Sequence, residues 1–307
     1  MRNAFADEVT ALAEKDKKIV FLSADIGNKL FDKYKEKNPG RFFNTGVAEA
    51  NTISVAAGLA MSGLKPIAYT ITPFITMRCF EQIKIDVCYN EAPVIIVGVG
   101  SGLGYSPLGI THHSLEDISI LRSLPNMTVL CPADQFEARA LIREALKYNK
   151  PVYFRLGKKG EPNIHKEIPD LEIGKAKVIE KGEKICLIST GVILPEAMKV
   201  REMLKAQNIN AELVHMHTVK PLDKEYLKKA FDKFEAMAVI EEHSIIGGLS
   251  SAVSEFMADN NAHVKLLRFG TNDTFMHTFG EHEYARHYYG LDGESIYKRL
   301  CKELNLK

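Results

Sequence analysis

This chain of 307 residues lacks most of the features that would set it outside the ordinary globular class. No apolar run approaches the ~20 residues that a membrane-spanning helix needs. No Lys/Arg run reads as a basic arm, and a net charge of +1 offers no positive field to a nucleic acid. Neither membrane nor nucleic acid is therefore an expected partner. Cysteine is scarce and scattered: Cys79, Cys88, Cys131, Cys186 and Cys301 form no close pair. That spacing argues against a disulfide framework or a structural zinc site and predicts reduced thiols in a cytoplasmic protein. The first 18 residues, MRNAFADEVTALAEKDKK, read as an amphipathic helix of mixed charge rather than a signal peptide. No internal repeat or low-complexity tract is visible.

What is present is an alternation of short apolar runs and helical patterns. Hydrophobic residues make up 46% and charged residues 26%, and the length leaves room for two domains. A helix over 3–15 precedes a buried strand over 19–22, which ends at Ser23-Ala24-Asp25. Strands follow at 66–69, 94–97, 129–130 and 152–154, with helices over 73–88 and 134–148. Such alternation means a parallel sheet covered on both faces. The stretch GKKGEPNIHKEIPD, 157–170, has two prolines and no periodicity and reads as a linker. After it, strands at 185–189, 211–216, 237–241 and 264–268 alternate with helices at 195–207, 223–231, 248–259 and 294–305. The expected architecture is α/β: two doubly wound domains, 1–157 and the smaller 171–307, joined by 158–170.

The stretch RFFNTGVAEANTISVAAGLAMSG, 41–63, stands out. An extended run turns at Gly46 and enters a helix of small and apolar residues that carries one early carboxylate, Glu49. A helix with so little polar surface is expected to be packed on most sides. Glu49 reads either as a first-turn acid favoured by the positive helix end or as a semi-buried carboxylate that binds a ligand atom.

This stretch resembles the pyrimidine-binding segment of the transketolase family, in which Gly-(Ile/Val)-x-Glu leads into an Ala/Gly-rich helix. The resemblance implies that Glu49 hydrogen-bonds N1′ of thiamine diphosphate. Sharing a proton there would favour the imino tautomer, whose 4′-nitrogen can take the proton from thiazolium C2. An apolar wall around Glu49 would help it hold that proton. TITPFITMRCF, 70–80, resembles the stretch whose aromatics pack on the aminopyrimidine: Phe74 falls on one such position, Ile71 stands where an aromatic is usual, and Met77 or Phe80 must cover the remainder. Asp25 matches a position near the thiazolium ring, although an Asp after a strand is equally a helix cap.

The loop GVGSGLGYSPLGITHHSLED, 98–117, is glycine-rich but does not satisfy GxGxxG. Its end is similar to the family's Gly-x-Thr-His-Gln-x-x-Glu, which implies that His112 contacts the substrate near its carbonyl and hydroxyl oxygens and that His113 orients the loop. Two positions depart from the family. Leu108 stands where an Asp reads a substrate hydroxyl, and Gly100 where a His helps hold the sugar phosphate. Arg2 and Arg155 match basic phosphate-site residues, and Lys29 stands where Ser is common. A site with these departures is expected to favour a different sugar.

The resemblance covers the whole chain but only two of the family's domains, the pyrimidine-binding and C-terminal ones, the latter including EEHSIIGGLSSAV at 241–253. No Gly-Asp-Gly followed by an Asn-rich turn occurs, so the Mg²⁺ ligands for thiamine diphosphate are expected from a partner subunit carrying the diphosphate-binding domain, in an α₂β₂ assembly. A start directly into a helix predicts a natural subunit. The implied activity is two-carbon ketol transfer between sugars by one half of a two-chain enzyme, with an unusual substrate such as a surface-glycan precursor. The alternatives are a deoxyxylulose-phosphate-synthase-like enzyme, a 2-oxoacid dehydrogenase beta subunit, or a regulatory module without catalysis. Glu49 and His112 argue against the last.

Overall fold

The inner apolar runs of the first half become strands because they are covered on both faces by helices. The computed structural model describes residues 1–27 and 29–306. The chain begins α1 (Arg2–Lys15), β1 (Ile19–Ser23), α2 (Asp32–Lys37), β2 (Phe42–Asn44), α3 (Glu49–Met61) and β3 (Lys65–Ile71). Strands β4 (Ile95–Val99), β5 (Thr128–Leu130) and β6 (Val152–Leu156) follow, and every residue of these three is buried. The second half adds β7 (Lys177–Glu180), β8 (Ile185–Thr190), β9 (Glu212–His215), β10 (Thr218–Lys220), β11 (Ala236–Ser244) and β12 (Lys265–Thr271).

Among the described residues these strands form two sheets, ordered β10-β5-β6-β4-β3-β1-β2 and β12-β11-β8-β9-β7. All neighbours run parallel except β10 on β5 and β7 on β9. The class is α/β, with two mainly parallel sheets. Strand β10 is a surprise: it comes from the second half of the chain yet extends the first sheet. Its three residues, Thr218-Val219-Lys220, are too short and too polar to announce a strand. Cys131 N–H donates to His217 C=O at 2.7 Å just beside it.

The helix expected over 73–88 is broken. Helical turns cover Thr72–Thr76 and Phe80–Gln82, and Ile83–Tyr89 winds as a π-helix. Such wide turns concentrate near functional sites. Helix α3 also departs from expectation. Its inner face, including Ile53, Ala56 and Ala57, is buried, but Val47 just before it and Val55 and Met61 on its outer side are exposed. Exposed Met77, Ile85 and Tyr89 lie on the neighbouring segment, which α3 meets through Ser54 Oγ donating to Asp86 Oδ2 at 2.5 Å. The outer side is thus apolar without being packed.

Candidate active site

Strands β1 to β4 run parallel, so their carboxyl ends share one edge of the sheet, where open α/β folds hold ligands. Asp25 follows β1, Glu49 follows β2, Phe74 follows β3, and the loop 100–116 follows β4. Asn44, at the end of β2, ties two of these turns together. Its amide donates to Asp25 Oδ1 at 2.9 Å, while its Oδ1 accepts from the N–H groups of Asp25 (3.2 Å) and Gly46 (3.0 Å). Asp25 is exposed, sits at φ 54° and starts no helix of its own.

Glu49 is the first residue of α3 and is 3% exposed. Its Oε2 accepts from Arg78 Nη1 at 2.8 Å, and the Arg78 guanidinium lies 4.7 Å from the centre of the Phe74 ring. The apolar wall expected around Glu49 is therefore incomplete: a cation stands against it. Arg78 follows Phe74 by four residues, one helical turn, and that spacing is the signal that could have found it. The Phe74 ring in turn meets the His112 ring edge-on at 5.2 Å. His112 Nδ1 lies 2.9 Å from Thr111 Oγ1. Partial burial, and then the neighbouring His113, hold the His112 pKa below the usual imidazole value, which keeps the ring uncharged at neutral pH. Glu49, Phe74 and His112 are thus brought together, with Arg78 between the first two.

The loop bearing His112 is pinned from both halves of the chain. Ser101 donates twice to Leu156 C=O, from N–H at 3.1 Å and from Oγ at 3.0 Å. Gly102 and Ser114 exchange backbone bonds of 3.1 and 2.9 Å. Leu103 N–H donates to Glu242 Oε1, from β11, at 2.8 Å. Burial alone would raise the Glu242 pKa, but Arg286 and His282 hold it well below the usual carboxylate range. Glu242 is thereby an ionised acceptor, and the second sheet holds the loop through it. His113 is buried within the loop, its Nε2 3.4 Å from Ser106 C=O.

Arg155, expected on a substrate phosphate, needs correction. It is 2% exposed, and its donors are committed to Asp117 (Nε at 2.7 Å, Nη2 at 3.2 Å), Ser114 C=O (3.2 Å) and Glu242 C=O (3.0 Å). It locks the loop to β11 instead of facing a ligand. The other expected residues, Arg2, Lys29, Leu108 and Phe80, are exposed or half-buried. Arg2 and Lys29 line one cavity of ≈ 420 Å³, and Leu108 is exposed at the turn Ser106–Leu108. Phe80 packs its half-buried ring on the core that includes Ile53 and Ala57.

With this geometry in place, two family models match: "Transketolase, pyrimidine binding domain" over residues 1–161 and "Transketolase, C-terminal domain" over 174–296. This chain belongs to the transketolase family. A "Putative transketolase C-terminal section" of Methanocaldococcus jannaschii is 40% identical over 99% of this chain and 96% of that one. The 6-deoxy-6-sulfo-D-fructose transketolase subunit SqwH of Clostridium sp. strain MSTE9 is 36% identical over 96% of this chain and 92% of its own length. Among solved structures, one titled "Split gene transketolase, inactive beta4 tetramer" superposes with a TM-score of 0.91 at 34% identity, covering 100% of this chain and 98% of that one.

Membership of the transketolase family implies dependence on thiamine diphosphate. The donor set fits that group. A planar ring with polarised N–H groups would require a buried carboxylate at its edge and an aromatic face beside it, and Glu49 and Phe74 supply both. The Arg78 guanidinium, itself a planar N–H donor, already satisfies the two together. No described helix is long and apolar enough to cross a membrane. Among the described residues, no group of three or more His, Cys, Asp or Glu side chains is placed to hold a metal ion.

Proposed function

We propose that this chain is the C-terminal subunit of a two-chain, thiamine-diphosphate-dependent enzyme that transfers a two-carbon ketol unit between sugars. The observation that carries the reading is the convergence of Glu49, Phe74 and His112 at one sheet edge. When bound, the cofactor would supply the nucleophilic carbon. Glu49 would exchange Arg78 for the N1′ edge of the pyrimidine and share a proton there, and Phe74 would lie against the ring. Asp25 would lie toward the thiazolium end. His112, uncharged, has a ring nitrogen to offer a substrate hydroxyl or carbonyl oxygen.

A partner subunit bearing the diphosphate-binding domain would supply the Mg²⁺ ligands, in an α₂β₂ assembly. The exposed apolar side of α3 and the segment 77–89, next to Glu49, suits such a partner. The substrate would place its anionic end toward Arg2 and Lys29, with Leu108 beside the sugar chain. Apolar Leu108 and the missing side chain at Gly100 favour a sugar other than the common pentose phosphates. The five unpaired thiols suit a cytoplasmic setting.

The test is Glu49→Gln in the assembled enzyme, followed by hydrogen–deuterium exchange at thiazolium C2. An amide cannot share the proton, so exchange and turnover should fall by roughly 100–10,000-fold with folding and assembly retained. Exchange at the wild-type rate would return Glu49 to a plain helix-start acid.

A further inference from the structure

The loop 98–117 has the glycines of an anion cradle, and at one of its turns the anion is already in place. Gly102 sits at φ +62°, and a Cβ built there would lie 2.4 Å from Glu242 Oε1 and 3.0 Å from Cγ. Leu103 N–H donates to the same Oε1 at 2.8 Å. The turn at 102–103 therefore holds a carboxylate from this chain's own second half. Glu242 is fully buried, and its oxygens have other partners as well. His282 Nε2 lies 2.9 and 2.8 Å from the two of them, and Arg286 Nε donates to Oε2 at 2.6 Å. Donors on both oxygens, one of them a guanidinium, fix where the carboxylate sits.

Glu242 is the first of three successive residues of β11 that grip the loop. Arg155 Nη2 donates both to Glu242 C=O at 3.0 Å and to Ser114 C=O at 3.2 Å. Ser119 N–H donates to His243 Nε2 at 3.3 Å, and Ser244 N–H donates to Leu115 C=O at 2.7 Å. The grip thus reaches residues 103, 114, 115 and 119, on both sides of His112. The His112 ring itself meets Phe74 edge-on at 5.2 Å and Tyr105 at 5.9 Å. Where that ring stands follows from where the two ends of the loop are held.

We infer that Glu242 is a positioning residue for the reaction: its carboxylate fills the glycine turn at 102–103 and so fixes the loop that presents His112 to the substrate. The second half of the chain would act in the chemistry through this contact. The inference rests on the ketol-transfer reading for the step that His112 serves, but the placement of His112 can be read without turnover. Glu49 stands on α3, outside this grip, so Glu242 should matter to the step that uses His112 and not to deprotonation of thiazolium C2.

Two substitutions attack the contact from opposite sides. Glu242→Gln keeps the shape but sets an amide NH₂ against Leu103 N–H or Arg286. Gly102→Ala keeps the carboxylate and drives a methyl group into it. In the assembled enzyme each should lower kcat by roughly 10–100-fold, the cost of a displaced catalytic group, with C2 exchange at the wild-type rate. The double variant should fall little further than the worse single one, because both remove one contact. In the isolated chain, the His112 ring-proton resonances, shifted by the rings of Phe74 and Tyr105, should move in both variants. Amide exchange should rise across 101–115 and stay unchanged in β1 to β4. Unchanged kcat, C2 exchange falling along with kcat, or unmoved His112 resonances would overturn the proposal. Should Glu242→Gln fail to fold, Gly102→Ala carries the same readouts with the buried charges intact. A wild-type complex that exchanges C2 but transfers no ketol group removes the functional reading, and the His112 resonances then decide the placement alone.

Discussion

At the residue scale the site turns on charges that have found partners. Glu49 is a buried carboxylate whose cation, Arg78, is half exposed. Removing Arg78 should leave that carboxylate with a desolvation penalty and no compensation. Arg78→Ala is expected to destabilise the isolated chain by about 1–3 kcal/mol in urea unfolding, and adding Glu49→Gln should recover part of the loss. Strict additivity would show that the two side chains do not support one another. A second buried group gives a pH signature. His217 is 1% exposed, and burial, then the nearby His215, push its pKa down to about 4. In the unfolded chain it titrates near 6.5. As pH falls below ~6.5 the unfolded state takes up the proton first, so stability declines until about pH 4, where the folded state protonates as well. The loss should total roughly 3 kcal/mol. Unfolding curves at pH 7, 5.5 and 4 should show a steeper decline in the wild type than in His217→Gln; parallel curves would mean that His217 is not the source.

At the scale of elements, the loop 98–117 owes its shape to both sheets. Asp117 is the anchor: buried, it accepts from Arg155 and from Tyr153 Oη at 2.6 Å. Burial would raise its pKa, but the Arg155 charge and hydrogen bonds bring it below the usual value. Its stabilisation is therefore present above pH ~4 and is lost as pH falls through the lowered value. Asp117→Asn leaves Arg155 without its counter-charge and should cost ~3–5 kcal/mol, with the loop around His112 loosened. Proteolysis or amide exchange confined to that loop would report it; exchange unchanged there would show that the loop is held by other means. The sequence made much of this architecture legible, because the buried strands are continuous apolar runs and the helix at 134–148 carries clear periodicity. The motifs single out Glu49, Phe74 and His112, and the structure brings these three to one edge of the sheet. Arg155 was misread because nothing in the spacing of Asp117 and Arg155, 38 residues apart, announces that they pair. The π-helix at 83–89 and strand β10 were missed for a similar reason. Their stability comes from tertiary packing rather than from any local pattern.

At the scale of the whole molecule, Glu49 sits at an edge flanked by exposed apolar residues of α3 and the segment 77–89, which is what a site completed by another chain would look like. The exposed face and the residues gathered beside it support one account: this chain carries the pyrimidine end of a thiamine diphosphate site, and a second chain carries the diphosphate end. The most direct measurement is calorimetric titration of thiamine diphosphate with Mg²⁺ into the isolated chain, and then into the chain combined with the diphosphate-binding subunit. The account predicts weak or absent binding to the chain alone and tight, Mg²⁺-dependent binding to the combination. Tight, Mg²⁺-dependent binding to the isolated chain would contradict it.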